Sequence, residues 1–164
     1  MSLEIERRFL IQNDNWKKYI QNSFAIEQGY LSSSSEWIVR IRYEKDKYIL
    51  TLKKHLHNFS NHEFEYEIPF IEGQFIMSNV DLKITKMRYN LLVNKKEWVI
   101  DCFKDKNFPL KIAEIELQNE NEEIQLPDFL SKEISGIQEF SNFELSKNPF
   151  EIWKKNKLKD FLNH

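Results

Sequence analysis

Only three glycines and four prolines punctuate the 164 residues. Most turns must therefore be made by Asn, Asp and Ser, whose short polar side chains support turn geometry. A single cysteine, Cys102, excludes an intrachain disulfide. Beside an apolar neighbour it is expected to be inert packing. No apolar run is long enough to cross a bilayer as a helix. The opening Met1 to Glu6 carries neither the basic nor the apolar region of a secretory leader. A cytoplasmic chain that does not engage a membrane is the expectation. A surplus of one charge sign is also missing: 24 basic residues face 26 acidic ones, for a net charge of -2. That argues against the basic coat of a nucleic-acid binder. There is no internal repeat, linker or low-complexity stretch beyond Ser32 to Ser35. The length suits one domain, taken as residues 1–164.

What is present is a globular composition, 41% hydrophobic and 14% aromatic, enough for a sizeable core. Alternating runs predict strands at Leu3–Ile11, Ala25–Leu31, Glu36–Glu44, Lys47–Lys54, His62–Pro69, Ile84–Val93, Glu97–Lys104 and Pro109–Gln118. Glu44-Lys45-Asp46 and Asn94-Lys95-Lys96 read as hairpin turns. Helices are expected through Trp16, Tyr19 and Ile20 behind an Asn13-Asp14-Asn15 cap, at Gly73–Asn79, at Pro127–Ile134, and at a C-terminal amphipathic stretch of about 148–162. About eight antiparallel strands in one domain must close or cover their edges. The fold class is α+β, mainly β.

The charges on these strands recur at i and i+2, roughly 6.6 Å apart on one face. Glu4, Glu6 and Arg8 share one; Arg40 and Arg42 another; then Lys53; then Glu63, Glu65 and Glu67; then Lys86 and Arg88; then Asp101; then Glu114 and Glu116. Apolar residues fill the positions between. One such strand alone would fit a sheet that shows its charges to water. A whole set of like-signed pairs does not, because like charges repel along a strand and a solubilising surface mixes its signs. The set fits a closed barrel turned inside out, with charges in the lumen and apolar residues outside. Six basic residues would then sleeve a polyanion, and the carboxylates would suit hard cations. His55, His57 and His62 sit in a polar connection from Lys53 to His62 that reads as a solvated loop. Trp16, Trp98 and Trp153 are expected to pack between barrel and helices, and Trp37 to be an exposed strand aromatic.

These residues, in this order, resemble the CYTH family of triphosphate tunnel metalloenzymes. The resemblance runs from Leu3 to Phe143. It is carried by Glu4-Ile5-Glu6-Arg7-Arg8, Val39-Arg40-Ile41-Arg42, Thr51-Leu52-Lys53, Glu63-Phe64-Glu65-Tyr66-Glu67, Lys86-Met87-Arg88-Tyr89, Asp101 and Glu114-Ile115-Glu116. Arg8 stands where the family has Lys, which keeps the charge and changes a point into a fork.

The resemblance implies an eight-stranded antiparallel tunnel with flanking helices that hydrolyses a small-molecule triphosphate, inorganic triphosphate first, with Mg²⁺ or Mn²⁺. Arg8, Arg40, Arg42, Lys53, Lys86 and Arg88 would bind phosphate. Glu4, Glu6, Glu63, Glu65, Asp101, Glu114 and Glu116 would serve the metal. Lys86, Tyr30 and Glu65 would be catalytic. It leaves open a thiamine triphosphatase, an adenylyl cyclase and a non-catalytic polyphosphate module, in a monomer or homodimer.

Overall fold

The computed structural model describes residues 2–33, 37–57 and 60–153. Among these residues are nine strands: β1 (Ser2–Ile11), β2 (Ile20–Ser33), β3 (Trp37–Glu44), β4 (Lys47–His57), β5 (Ser60–Ile68), β6 (Lys83–Val93), β7 (Lys96–Phe103), β8 (Lys111–Glu116) and β9 (Leu130–Glu133). Two α-helices, α1 (Phe70–Ser78) and α2 (Asn142–Lys147), and short 3-10 turns complete the described residues. Among the described residues no helix is long and apolar enough to cross a membrane.

The sheet runs β5-β4-β3-β2-β6-β7-β8-β1, and β1 pairs back onto β5 to close an eight-stranded antiparallel barrel. Two tight hairpins set its register. Lys45 and Asp46 join β3 to β4, and Asn94 and Lys95 join β6 to β7. All four take positive φ, at 48°, 61°, 50° and 63°. Paired left-handed residues match the twist of the strands they join. Non-glycine residues accept that backbone here because the ladders on both sides hold it.

Ile5, Phe9, Trp98, Ile100, Ala113 and Ile115 are buried on the outside of the barrel. They lie under the Asn15–Tyr19 3-10 turn and the segment that carries Leu117, Phe129 and Leu130. Ile41 and Tyr48 are buried under Met77 of α1. Burying each such side chain contributes roughly 1.5–3 kcal/mol.

The end where β2 finishes and β6 begins is here the upper end. Lumen-facing Tyr30, Ile84, Phe103 and Ile112 pack there against Phe140, Phe143 and Leu145. The segment around α2 therefore stoppers the lumen on the side of β2, β6, β7 and β8.

Several expectations are corrected. Pro127–Ile134 is not a helix; it ends in β9, which pairs with the second half of β1. β5 covers only Ser2 to Ile5 of that edge, and the unpaired groups beyond need a partner. Gln12 N–H to Phe129 O at 3.0 Å and Ile134 N–H to Arg8 O at 2.8 Å complete the ladder. Asn13–Ile20 gives one 3-10 turn, and Ile20 already starts β2. Residues 148–153 form only a 3-10 turn at Phe150–Ile152; the rest of the expected C-terminal helix lies outside the described residues. His55 and His62 lie on strands rather than in a loop.

Gly73 marks the tightest contact between helix and barrel. A Cβ there would lie 2.2 Å from Tyr48 Cγ and 2.3 Å from its Cβ. Alanine gains about 1 kcal/mol of helix propensity, but overlap at the root of a buried ring cannot be relieved by rotation. Gly73→Ala is expected to destabilise by about 1–3 kcal/mol, read as a lower urea midpoint. An unchanged or raised midpoint would contradict this packing.

Candidate active site

Directly opposed residues in an antiparallel pair share a face. Arg40 opposes Thr51 and Tyr30, Arg42 opposes Gln28, and Lys53 opposes Glu63. Arg88 opposes Asp101, Arg8 opposes Glu114, and Glu6 opposes Glu116. The charged set thus faces the lumen together.

Two clusters result. On β1, β3, β4 and β5, Arg40 Nη2 lies 2.7 Å from Glu63 Oε1 and 3.5 Å from Glu65 Oε1. Lys53 Nζ is 2.5 Å from Glu4 Oε2 and 3.7 Å from Glu63 Oε2. Arg42 Nη2 donates to Glu65 Oε1 at 3.0 Å. Thr51, fully buried, accepts from Arg40 at 3.2 Å and donates to Glu65 at 3.2 Å.

On β1, β6, β7 and β8, Arg88 grips both Asp101 oxygens at 2.8 Å and reaches Glu114 Oε2 at 3.2 Å. Lys86 also pairs with Asp101. Arg8 Nε donates to Glu114 Oε1 at 3.1 Å, and Arg8 Nη1 donates to the Phe140 carbonyl at 3.0 Å.

Some placements were not anticipated. Lys86 and Asp101, at 1% and 0% exposure, are the most deeply buried of the set. Glu65 and Glu116 are exposed at the lower mouth, and Glu67 pairs there with Lys47 at 2.7 Å. Glu44 was missed; it lies 3.1 Å from Arg42 Nε. Gln28 was missed too, although it stands two residues before Tyr30 on the same face. Its Nε2 donates to Tyr30 Oη at 2.8 Å. Burial pushes that phenol up to about 12, so it acts as a donor and not a base at neutral pH.

Burial also pushes Glu4 up to about 8, against the pull of Lys53. Burial and repulsion from Glu114 raise Glu6. Burial opposes ionisation of Glu63 as well, but Lys53 and Arg40 outweigh it and hold Glu63 at about 2. Arg88 and Lys86 likewise overcome burial and hold Asp101 well below the usual carboxylate range.

Among the described residues no three carboxylates form a ready-made metal clasp. The donor set nonetheless fits an oxygen-seeking divalent cation. Glu6 and Glu116 are like charges at directly opposed positions, and Glu6 and Glu114 repel. A cation among Glu4, Glu6, Glu114 and Glu116 would relieve both burial and repulsion. Asp101 fits less well, since both its oxygens are taken.

The structure is a closed antiparallel barrel with an apolar exterior and a lumen of interleaved guanidinium and carboxylate groups. The chain belongs to the CYTH domain family, whose model matches residues 2–147. An inorganic triphosphatase of Acetivibrio thermocellus is 35% identical over 156 residues, covering 94% of this chain and 99% of that protein. Among solved structures, the inorganic triphosphatase NE1496 aligns with a TM-score of 0.66 at 22% identity, over 89% of this chain and 95% of that one. The PH1012 protein of Pyrococcus horikoshii aligns with a TM-score of 0.59 at 20% identity, over 72% and 80%.

The raised carboxyls set a pH dependence. In the metal-free fold Glu4 keeps its proton to about 8, whereas the unfolded chain loses it near 4.5. The folded state therefore binds more protons across that window, and stability falls as pH rises through it. Glu63 and Asp101 act oppositely: their contribution is present above the unfolded carboxylate range and is lost as pH falls. The melting temperature in chelator is expected to drop between pH 5 and 8, and a divalent cation is expected to flatten the drop. A melting temperature that rises over that range in chelator would contradict the assignment.

Proposed function

We propose that this protein is a divalent-metal-dependent triphosphatase that cleaves inorganic triphosphate to diphosphate and orthophosphate. Among the lumen contacts, one observation carries the reading: Arg8 Nη2 and Arg40 Nε are buried donors without a hydrogen-bond acceptor, and Arg42 Nε meets Glu44 Oε2 at 3.1 Å as an ion pair without hydrogen-bond geometry. Buried donors are seldom left so, and each calls for an explanation. Guanidinium groups with spare donors suit a ligand with many anionic oxygens along its length. The 35% identical relative named an inorganic triphosphatase supports the same substrate.

The chemistry follows from partner exchange. Without ligand, Arg8, Arg40, Arg42, Lys53 and Arg88 are balanced by Glu114, Glu63, Glu65, Glu44 and Asp101. Triphosphate oxygens replace several of these carboxylates on the cations. The released carboxylates, with Glu6 and Glu116, are then free to hold Mg²⁺ or Mn²⁺. Bound there, the ion would supply charge neutralisation at the phosphoryl oxygens and an acidified water. The chain itself holds the phosphates in line, and its guanidinium groups offset the charge that develops as the P–O bond breaks. Gln28 orients the Tyr30 phenol as a further donor beside Arg40. Arg40 Nη2, shared between Glu63, Glu65 and Thr51, is kept aimed across the lumen.

Chelator is expected to abolish orthophosphate release from triphosphate, and Mg²⁺ or Mn²⁺ to restore it. Phosphorus NMR should show diphosphate and orthophosphate, formed faster than any product from ATP. Full turnover without a divalent ion, or cyclic AMP from ATP with triphosphate left intact, would overturn the reading.

Arg40→Ala removes a charge-assisted contact and is expected to cost roughly 1.5–3 kcal/mol in triphosphate affinity. The loss should be smaller for diphosphate and smallest for orthophosphate, measured by calorimetry. Equal losses for all three would place Arg40 away from the phosphates.

A further inference from the structure

The outside of the barrel holds the core, and one sector of that outside is left open to solvent. α1 turns Gly73, Ile76 and Met77 toward the barrel, over Ile41 and Tyr48. Its other face is apolar as well. Ile71 and Phe75 stand at i and i+4 and so share one side of the helix. They stay 79% and 69% exposed. A helix that is apolar all round belongs in an interior. Phe70, 49% exposed, extends the surface sideways, its ring edge-on to Tyr48 at 5.2 Å and to Tyr43 at 6.2 Å. Tyr66 on β5 continues it. That residue stands diagonal to Tyr48 on the outer face of the sheet, and 54% of it is exposed.

The extent of this surface is informative. At these exposures Tyr66, Phe70, Ile71 and Phe75 present on the order of 450 Å² of apolar surface, since a large aromatic side chain offers roughly 150–250 Å². Patches of that size on a folded chain are often functional. Pro69, Glu72, Gln74 and Ser78, all exposed, surround it. With them the face comes to roughly the 800 Å² that each partner buries in a specific complex.

Charge selects the occupant. Glu72 is the one charged residue of α1. Glu65 and Glu67, on either side of Tyr66, turn to the opposite face of β5, where they pair with Arg42 and Lys47. An anionic membrane or a nucleic acid would need Lys or Arg around the apolar surface, and α1 has neither. A two-fold pair sets the same patch against itself. A patch rich in one charge sign would repel its copy, whereas a nearly neutral apolar one fits it. The interfaces of homodimers have this composition.

We propose that a second copy of this chain covers the outer face of α1, in a two-fold dimer centred on Ile71 and Phe75 with Phe70 and Tyr66 beside them. The pairing braces β3 and β4 from outside the barrel, and these strands carry Arg40, Arg42, Thr51 and Lys53. It is independent of the reaction that the lumen performs.

Sedimentation velocity on the full chain, over a dilution series, is expected to show a species of twice the 20.0 kDa chain mass that dissociates on dilution. Ile71→Glu and Phe75→Lys each put a charge on the face, with the sign that suits that end of the helix. Each is expected to weaken self-association by about thirty-fold or more, the scale of a residue at the centre of an interface. Their melting temperatures should match that of the dissociated wild type. Location is tested with single thiols in a Cys102→Ser background. A short bis-maleimide is expected to join two copies through Ile71→Cys or Phe75→Cys, and not through Leu92→Cys, which is exposed on β6. Should a charged variant fail to fold, the thiol series decides. A chain that stays monomeric throughout overturns the proposal. If the Phe75→Cys thiol of that monomer resists alkylation, the face belongs to residues 154–164 of the same chain. If the monomer co-sediments with phosphatidylglycerol vesicles, it belongs to lipid. A dimer that survives both charges and is joined only through Leu92→Cys overturns the proposal as well.

Discussion

Everything in this structure depends on placing some thirteen ionisable side chains in and at the mouth of one lumen, most of them partly or fully buried. An isolated buried charge is costly enough to be neutralised by a shift in its pKa. Glu4 and Glu6 show that cost directly in their raised carboxyls. The others avoid it by interleaving. Each guanidinium or ammonium lies within reach of at least one carboxylate, and Asp101 and Glu114 are each shared by two cations. The lumen is thereby stable without a ligand and still prepared for one. On the proposed reading a polyanion would exchange one set of negative oxygens for another while the cations keep their positions. Glu4 and Glu6, whose carboxyls burial raises, are the ones whose ionisation a divalent cation would favour.

That requirement shapes the fold around it. A polar lumen cannot supply the apolar burial that stabilises a domain, so the core is moved outside the barrel. Trp16 and Trp98, both 2% exposed, belong to an outer cluster with Phe9, Ile100 and Phe129, and α1 covers Ile41 and Tyr48. Closure of β1 onto β5 is equally necessary, because it removes the sheet edges. It also leaves half of β1 unpaired, and β9 fills that gap. The two environments meet at the upper end of the lumen. There Tyr30, Phe103 and Ile112 turn apolar surface inward to receive the segment around α2. Two polar atoms of that segment, the Phe140 carbonyl and Asn142 Oδ1, complete the charge network there.

The barrel and most of its lumen were legible in the sequence because both follow from period-two alternation. A strand's side chains change face at each residue, so Arg40 with Arg42, or Glu114 with Glu116, must share a face wherever the strand lies. Repetition of like-signed pairs across strands then distinguishes a lumen from a wet surface. The turns at Lys45-Asp46 and Asn94-Lys95 were legible for a similar reason, since they stand between two alternating runs. The order of charged pairs along the chain also carried the CYTH resemblance that the family match bears out.

Other features had no local signal, because distant segments decide them. Leu130–Glu133 is a strand because β1 has an unpaired edge there, and its proline-led sequence reads equally well as a helix start. Asn142 reaches Lys86 across 56 residues of chain, and no spacing rule connects them. Depth is likewise invisible to alternation. Lys86 and Arg88 share a face by sequence, yet packing against Phe103 and the stopper buries the first and leaves the second partly exposed. The sequence by itself determined which residues face inward and what charge they bring, because strand geometry is local. Only the tertiary structure decided how deeply each of them is buried, because exposure depends on what the rest of the chain places over them.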